Sequence, residues 1–174
     1  MMVGFGRRVS RKISLIALFS IIVFLSKIWL PSPIDKFLIF IQALCYALAN
    51  LLIGRFGGTI TGMVSGLMIQ FWRPAFIPFT FLFAVFYGLL IDLSILIFKV
   101  RSSSNVPTLK MIYALSTASI ILGVVSMYVT VSLGVMPPIP LLYLAILIGG
   151  TLNGALAGCI ASQIWNRYLL KKKL

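Results

Sequence analysis

Six apolar runs, separated by short breaks rich in proline, glycine and charge, account for most of this chain. Read as helices, they predict spans at about 13–30, 37–53, 57–72, 79–98, 111–133 and 141–165. The breaks support that division. In PSPIDK, Pro31 and Pro33 stop the first run and Asp35 opens the second. The connection GRFG is so short that the second and third runs must form an antiparallel hairpin. RPAFIP and GVMPPIP close the third and fifth runs, and KVRSSSNVPTLK is the only break longer than a turn. At about sixteen residues the third run is short for a hydrocarbon core of roughly 30 Å, so a re-entrant segment is the alternative to a full crossing there.

That third run, with its flanks from Gly54 to Pro78, is the stretch around which the rest is expected to be arranged. Gly58, Gly62 and Gly66 recur every fourth residue, which removes side chains from one helix face and lets another backbone approach. The pattern returns in the sixth run at Gly150, Gly154 and Gly158, where Gly-Gly-Thr is again followed by glycines three and seven residues on. With an even number of spans the two copies cross in opposite directions, as in an inverted repeat of three spans plus three. The alternative is that glycine and threonine are simply common in closely packed membrane helices.

Composition narrows the class. With 61% hydrophobic and 10% charged residues, the 174-residue chain reads as one all-α integral membrane domain without room for a separate soluble module. The net charge of +13 would suggest nucleic acid in a soluble protein, but here the cations flank apolar runs. Arg7, Arg8, Arg11, Lys12, Arg55, Lys99, Arg101, Lys110, Arg167, Lys171, Lys172 and Lys173 fall on one side of a six-span layout, and only Lys27, Lys36 and Arg73 on the other. The positive-inside rule then predicts a multi-pass protein of the cell membrane with both termini cytoplasmic, in contact with lipid and not nucleic acid. The basic start resembles that of a secretory signal, but no small-x-small cleavage site follows, so an uncleaved first span is expected.

Candidate chemistry is sparse. The chain has no histidine, its carboxylates are Asp35 and Asp92, and Cys45 and Cys159 sit on separate runs, so no metal site, cofactor or acid-base catalysis is predicted and the chain is not expected to be an enzyme. Asp92, near the cytoplasmic end of the fourth span, is expected to pair with Lys99, Arg101 or Arg55. Asn50, Asn153, Gln163 and Asn166 read first as interhelical hydrogen-bonding groups. Near the outer boundary, interfacial anchoring accounts for many aromatics, including Trp29. It does not account for Gln42 and Gln70, which need polar partners within spans. We therefore take Gln42, Tyr46, Gln70, Trp72 and Arg73, with Tyr128 and Tyr143, as a candidate pocket for a small flat heterocycle, closed by the loops at Pro33, Pro74 and Pro137.

Six spans in a short chain, cytoplasmic termini, proline-rich outer loops, a glycine-rich third span and the opening RKISLIALFSIIVF together resemble the substrate-binding S component of energy-coupling factor transporters. The resemblance implies capture of a vitamin or related micronutrient on the outer side. It also implies partnership with a transmembrane coupling subunit and two ATPase subunits that supply the energy. Family members carry an Ala-x-x-x-Ala pattern on the first span, whereas here Ala17 is followed at the fourth position by Ile21. The competing expectation is a non-catalytic subunit of a larger membrane complex, with close-packed helices and no outer cavity.

Overall fold

A computed structural model describes residues 3–28, 39–72, 78–100, 105–134 and 139–170. They form six α-helices: α1 (Val3–Ile28), α2 (Ile39–Ile53), α3 (Gly57–Trp72), α4 (Phe79–Ile97), α5 (Thr108–Ser132) and α6 (Pro140–Ile164), the last continuing into a π-helical turn, Trp165–Leu169. Four are long and apolar enough to cross a membrane: α1 from Val9 onward, α4, α5, and α6 with its π turn. The 15 residues of α2 and 16 of α3 rise only about 22 and 24 Å at 1.5 Å per residue, less than a bilayer core of roughly 30 Å. This helical architecture is compatible with a membrane-embedded protein.

The centre of the bundle is α2 and not the glycine helix. It touches all five other helices, which surround it in the order α1, α3, α4, α5, α6. Continuous burial from Cys45 to Leu51, on every side of the helix, is what that position requires. Among the described residues the surrounding ring is open at one place, where α6 and α1 make no comparable contact. α1 is peripheral. It begins well before the predicted span, and the side chains from Val9 to Ser14 are exposed on every side.

Glycine decides which helices come closest. α3 lies on α4 along Gly58, Gly62 and Gly66: a Cβ at Gly62 would stand 2.6 Å from the Ala84 carbonyl oxygen, and one at Gly66 2.9 Å from the Ala84 Cβ. Gly88 answers from α4, where a Cβ would meet the Gly58 carbonyl at 2.5 Å. The second stripe brings α6 onto α5, with a Cβ at Gly154 or Gly158 falling 2.8 or 2.7 Å from α5 backbone. Helices without side chains at the crossing gain dispersion contacts along their backbones, the main attraction available where lipid is as apolar as protein. The two stripes thus meet different neighbours, α3 the helix that follows it and α6 the helix that precedes it. A strict relation of three plus three would instead seat α6 on α1.

Local chemistry ends the helices at sharp turns. Between α2 and α3 the chain reverses over Gly54, whose φ of 115° favours glycine, and Gly57 N–H closes the turn on the Gly54 carbonyl at 2.8 Å. α4 stops where Lys99 turns left-handed at φ 52°, which lets Val100 N–H reach back to the Ile95 carbonyl at 3.0 Å.

Candidate functional site

At the end of the bundle that carries the α2–α3 turn, the buried carboxylate of Asp92 organises three helices. Its Oδ1 accepts from Asn50 Nδ2 at 2.7 Å and from Gly58 N–H at 3.1 Å; its Oδ2 accepts from Thr59 N–H at 2.7 Å and the Thr59 hydroxyl at 2.6 Å. Gly58 and Thr59 begin α3, so their amides are among the N-terminal donors that no intrahelical carbonyl can satisfy. Asp92 therefore caps α3 from the neighbouring helix, where the positive end of the α3 dipole favours a negative charge. The cation pairing expected of it does not occur with Lys99 or Arg55; all of its partners are neutral, and Arg101 lies outside the described residues. The cap also explains Gly58, where a Cβ would sit 2.6 Å from Asp92 Oδ1.

At the same end the Asn166 amide acts as a short piece of backbone. It accepts from Val106 N–H and donates to Val106 C=O, both at 2.9 Å, and so fixes the segment leading into α5 against the π turn after α6. Ser162 adds a hydroxyl bond to Thr108 at 3.1 Å.

A second polar chain crosses the middle of the bundle. Gln42 Nε2 donates to the Tyr46 hydroxyl at 3.0 Å, and that hydroxyl shares a proton with Ser65 Oγ at 2.9 Å. The Tyr46 ring meets Tyr87 edge to face with centroids 5.9 Å apart, and Tyr87 in turn shares a hydrogen bond with Ser119 at 2.8 Å. Gln42 and Tyr46 of the candidate pocket are thus brought together, but with each other and with the Ser65 hydroxyl of α3 instead of around a void. Ser65, Tyr87 and Ser119 were not anticipated. Their signal was a hydroxyl inside an apolar run, which needs a partner once it is buried away from water.

The remaining candidate residues separate. Trp72 is exposed at the end of α3, Gln70 is half-buried with no hydrogen-bond partner among the described residues, and Arg73 lies outside them, as do the loops at Pro33, Pro74 and Pro137. Tyr128 and Tyr143 share one groove. They line a groove of about 400 Å³ between the far ends of α5 and α6, with Met127, Leu147 and Ser132. The groove lies where the α5–α6 seam relaxes: contact is close at Gly158 and Gly154 and ordinary at Gly150 and Gly123, where the Ser119 carbonyl and the Leu147 Cδ2 stand 3.7 and 3.6 Å from a built Cβ. It is an open, mostly apolar concavity near the lower end of the usual range for ligand sites, roughly 300 to 1,000 Å³.

Among the described residues no group of three or more His, Cys, Asp or Glu could hold a metal ion, and Cys45 and Cys159 are both free thiols. No protein-family model, curated protein or solved structure matches this chain. Function is therefore read from the residues and their geometry.

Proposed function

We propose that the chain is a membrane-embedded solute-binding subunit of a micronutrient uptake system, and that its site is the groove between the far ends of α5 and α6. The observation that carries this reading is the widening of an otherwise close glycine seam into a concavity with two tyrosines at its walls. Tyrosine offers a flat apolar face and a hydroxyl, and Ser132 adds a second hydroxyl, so the lining suits a small, flat, uncharged heterocycle better than an inorganic ion. In this reading all six helices cross the bilayer with both termini in the cytoplasm, which puts the groove on the outer side, and Trp72 stands near its level. Energy comes from separate coupling and ATPase subunits, as the family resemblance implies.

Two measurements test the reading. In intact cells, a single cysteine at residue 137 should react with an impermeant thiol reagent and one at residue 105 should not; the reverse pattern overturns the orientation. Purified protein in detergent, screened by thermal shift against vitamin-sized heterocycles, should yield a binder whose affinity falls roughly 3- to 10-fold in Tyr143→Ala, the loss of one aromatic face. Wild-type affinity in both Tyr143→Ala and Tyr128→Ala would remove the groove from consideration.

A second reading, a non-catalytic subunit of a larger complex, draws on the opening in the helix ring between α6 and α1. Solubilisation in mild detergent separates the two, since the second reading expects stable co-purifying subunits together with an absence of any solute-dependent thermal shift.

A further inference from the structure

The buried polar side chains of this bundle nearly all find partners inside it, and Asn153 does not. It stands near the middle of α6, half-buried, with no hydrogen-bond partner among the described residues. Gln70 is also unpartnered among them, but it lies at the end of α3, where a long side chain reaches the water interface. Asn153 is thirteen residues from the start of its helix, a rise of about 20 Å, and its short side chain reaches neither boundary. An amide at that depth needs a polar partner at the same depth.

Its position on α6 shows where the partner must come from. Gly150, Gly154 and Gly158 face α5, and Ala157 and Ala161 are fully buried. Asn153 is turned about 100° from Gly154, away from α5 and toward the edge where the ring around α2 is open. One turn earlier on the same flank is Gly149, with open space where a Cβ would be. Leu152 and Leu156 beside it are exposed.

We propose that α6 packs against α6 of a second copy of this chain at that open edge, with the two Asn153 amides hydrogen-bonded across a two-fold axis normal to the bilayer. A carboxamide is both donor and acceptor, so two of them are mutually complementary in a bidentate pair. Depth selects the second copy. A chain inserted in the same orientation carries its own Asn153 at the same level, whereas this chain's other mid-bundle groups, Tyr46 with Ser65 and Tyr87 with Ser119, are already occupied. Gly149 lets the two helices approach closely enough for short side chains to meet. This contact is independent of the solute groove, which lies on the α5 side of α6.

The test uses the full-length chain in lipid bilayers, in a background with Cys45 and Cys159 replaced by alanine. In that background Asn153→Cys should form an intermolecular disulfide under mild oxidation, and Tyr113→Cys, at an exposed position on α5, should not. In single-molecule dimerisation measurements, Asn153→Leu should weaken self-association roughly tenfold, and Gly149→Leu should do so by obstruction without removing the amide. Circular dichroism should show both variants folded. A chain that stays monomeric at all protein-to-lipid ratios, wild-type association in both variants, or cross-linking of the Asn153→Cys variant to a different membrane protein would each overturn the proposal.

Discussion

The two glycine seams use one device to different ends. Between α3 and α4 the contact is close along its whole length, from Gly58 beside Gly88 to Gly66 against Ala84 and Phe81. Between α5 and α6 it is equally close at Gly158 and Gly154 but relaxes to ordinary distances at Gly150 and Gly123, toward the end that carries the groove. Their fastenings differ as well. The first seam is closed at one end by a carboxylate with four donors, the second by a neutral amide bound to Val106. Glycine spacing alone therefore tells where helices can touch. How far the contact extends depends on the residues that follow: Ala84 continues the first seam, while Tyr143 and Leu147 line the groove at the far end of the second.

The largest effect on this comparison is expected at the carboxylate. Asp92→Ala leaves the Asn50 amide, the Gly58 and Thr59 amides and the Thr59 hydroxyl without their acceptor, and should destabilise the protein by about 3 to 5 kcal/mol in reversible denaturation in micelles. A loss below about 1 kcal/mol would mean that water or backbone replaces the carboxylate readily. Next come the seams themselves. Gly62→Leu and Gly154→Leu should each cost about 1 to 3 kcal/mol or more through overpacking against backbone that cannot yield, and an unchanged melting temperature in either would place that face against lipid. A smaller loss, about 1 to 2 kcal/mol, is expected for Asn166→Ala, which removes both bonds to Val106. Hydrogen exchange of the Val106 amide should rise selectively in that variant. The smallest effect sharpens the comparison most: Gly150→Ala, with its nearest neighbour at 3.7 Å, should change stability by less than about 0.5 kcal/mol, while Gly58→Ala, which would crowd Asp92, should be clearly destabilising. Equal effects at Gly58 and Gly150 would erase the distinction between the seams.

Much of the fold was legible because apolar runs and proline breaks mark helix ends directly. The third run was expected at 57–72 and the helix occupies Gly57–Trp72; the expected 79–98 and 141–165 compare with Phe79–Ile97 and Pro140–Ile164. α1 was the exception. Its helix starts at Val3 because a helix continues through a basic flank as readily as through an apolar one, and bilayer thickness sets the length of a span, not of a helix. The centrality of α2 was hidden for a related reason: lipid-facing and protein-facing surfaces are both apolar, so hydrophobicity cannot rank helices by burial. Its small and amide residues, Gln42, Ala43, Ala47, Ala49 and Asn50, carried the usable signal. Side-chain types alone point Asp92 to a cation, whereas its donors include the free amides of Gly58 and Thr59 at the start of α3, which residue type does not reveal. Gln42 and Tyr46 satisfy one another one helical turn apart, which consumes the groups that were expected to greet a solute.

The capping of α3 by Asp92 bears on how the chain is built as well as how it holds together. Thr59 and the carboxylate that completes its helix are 33 residues apart in the chain. During synthesis α3, short for a span and rich in glycine, emerges before the group that satisfies its leading amides. It gains a finished amino-terminal end only when the far end of α4 has left the ribosome and turned back beside it. The two helices therefore complete one another only as a pair, with the α4 carboxylate as the closing stitch.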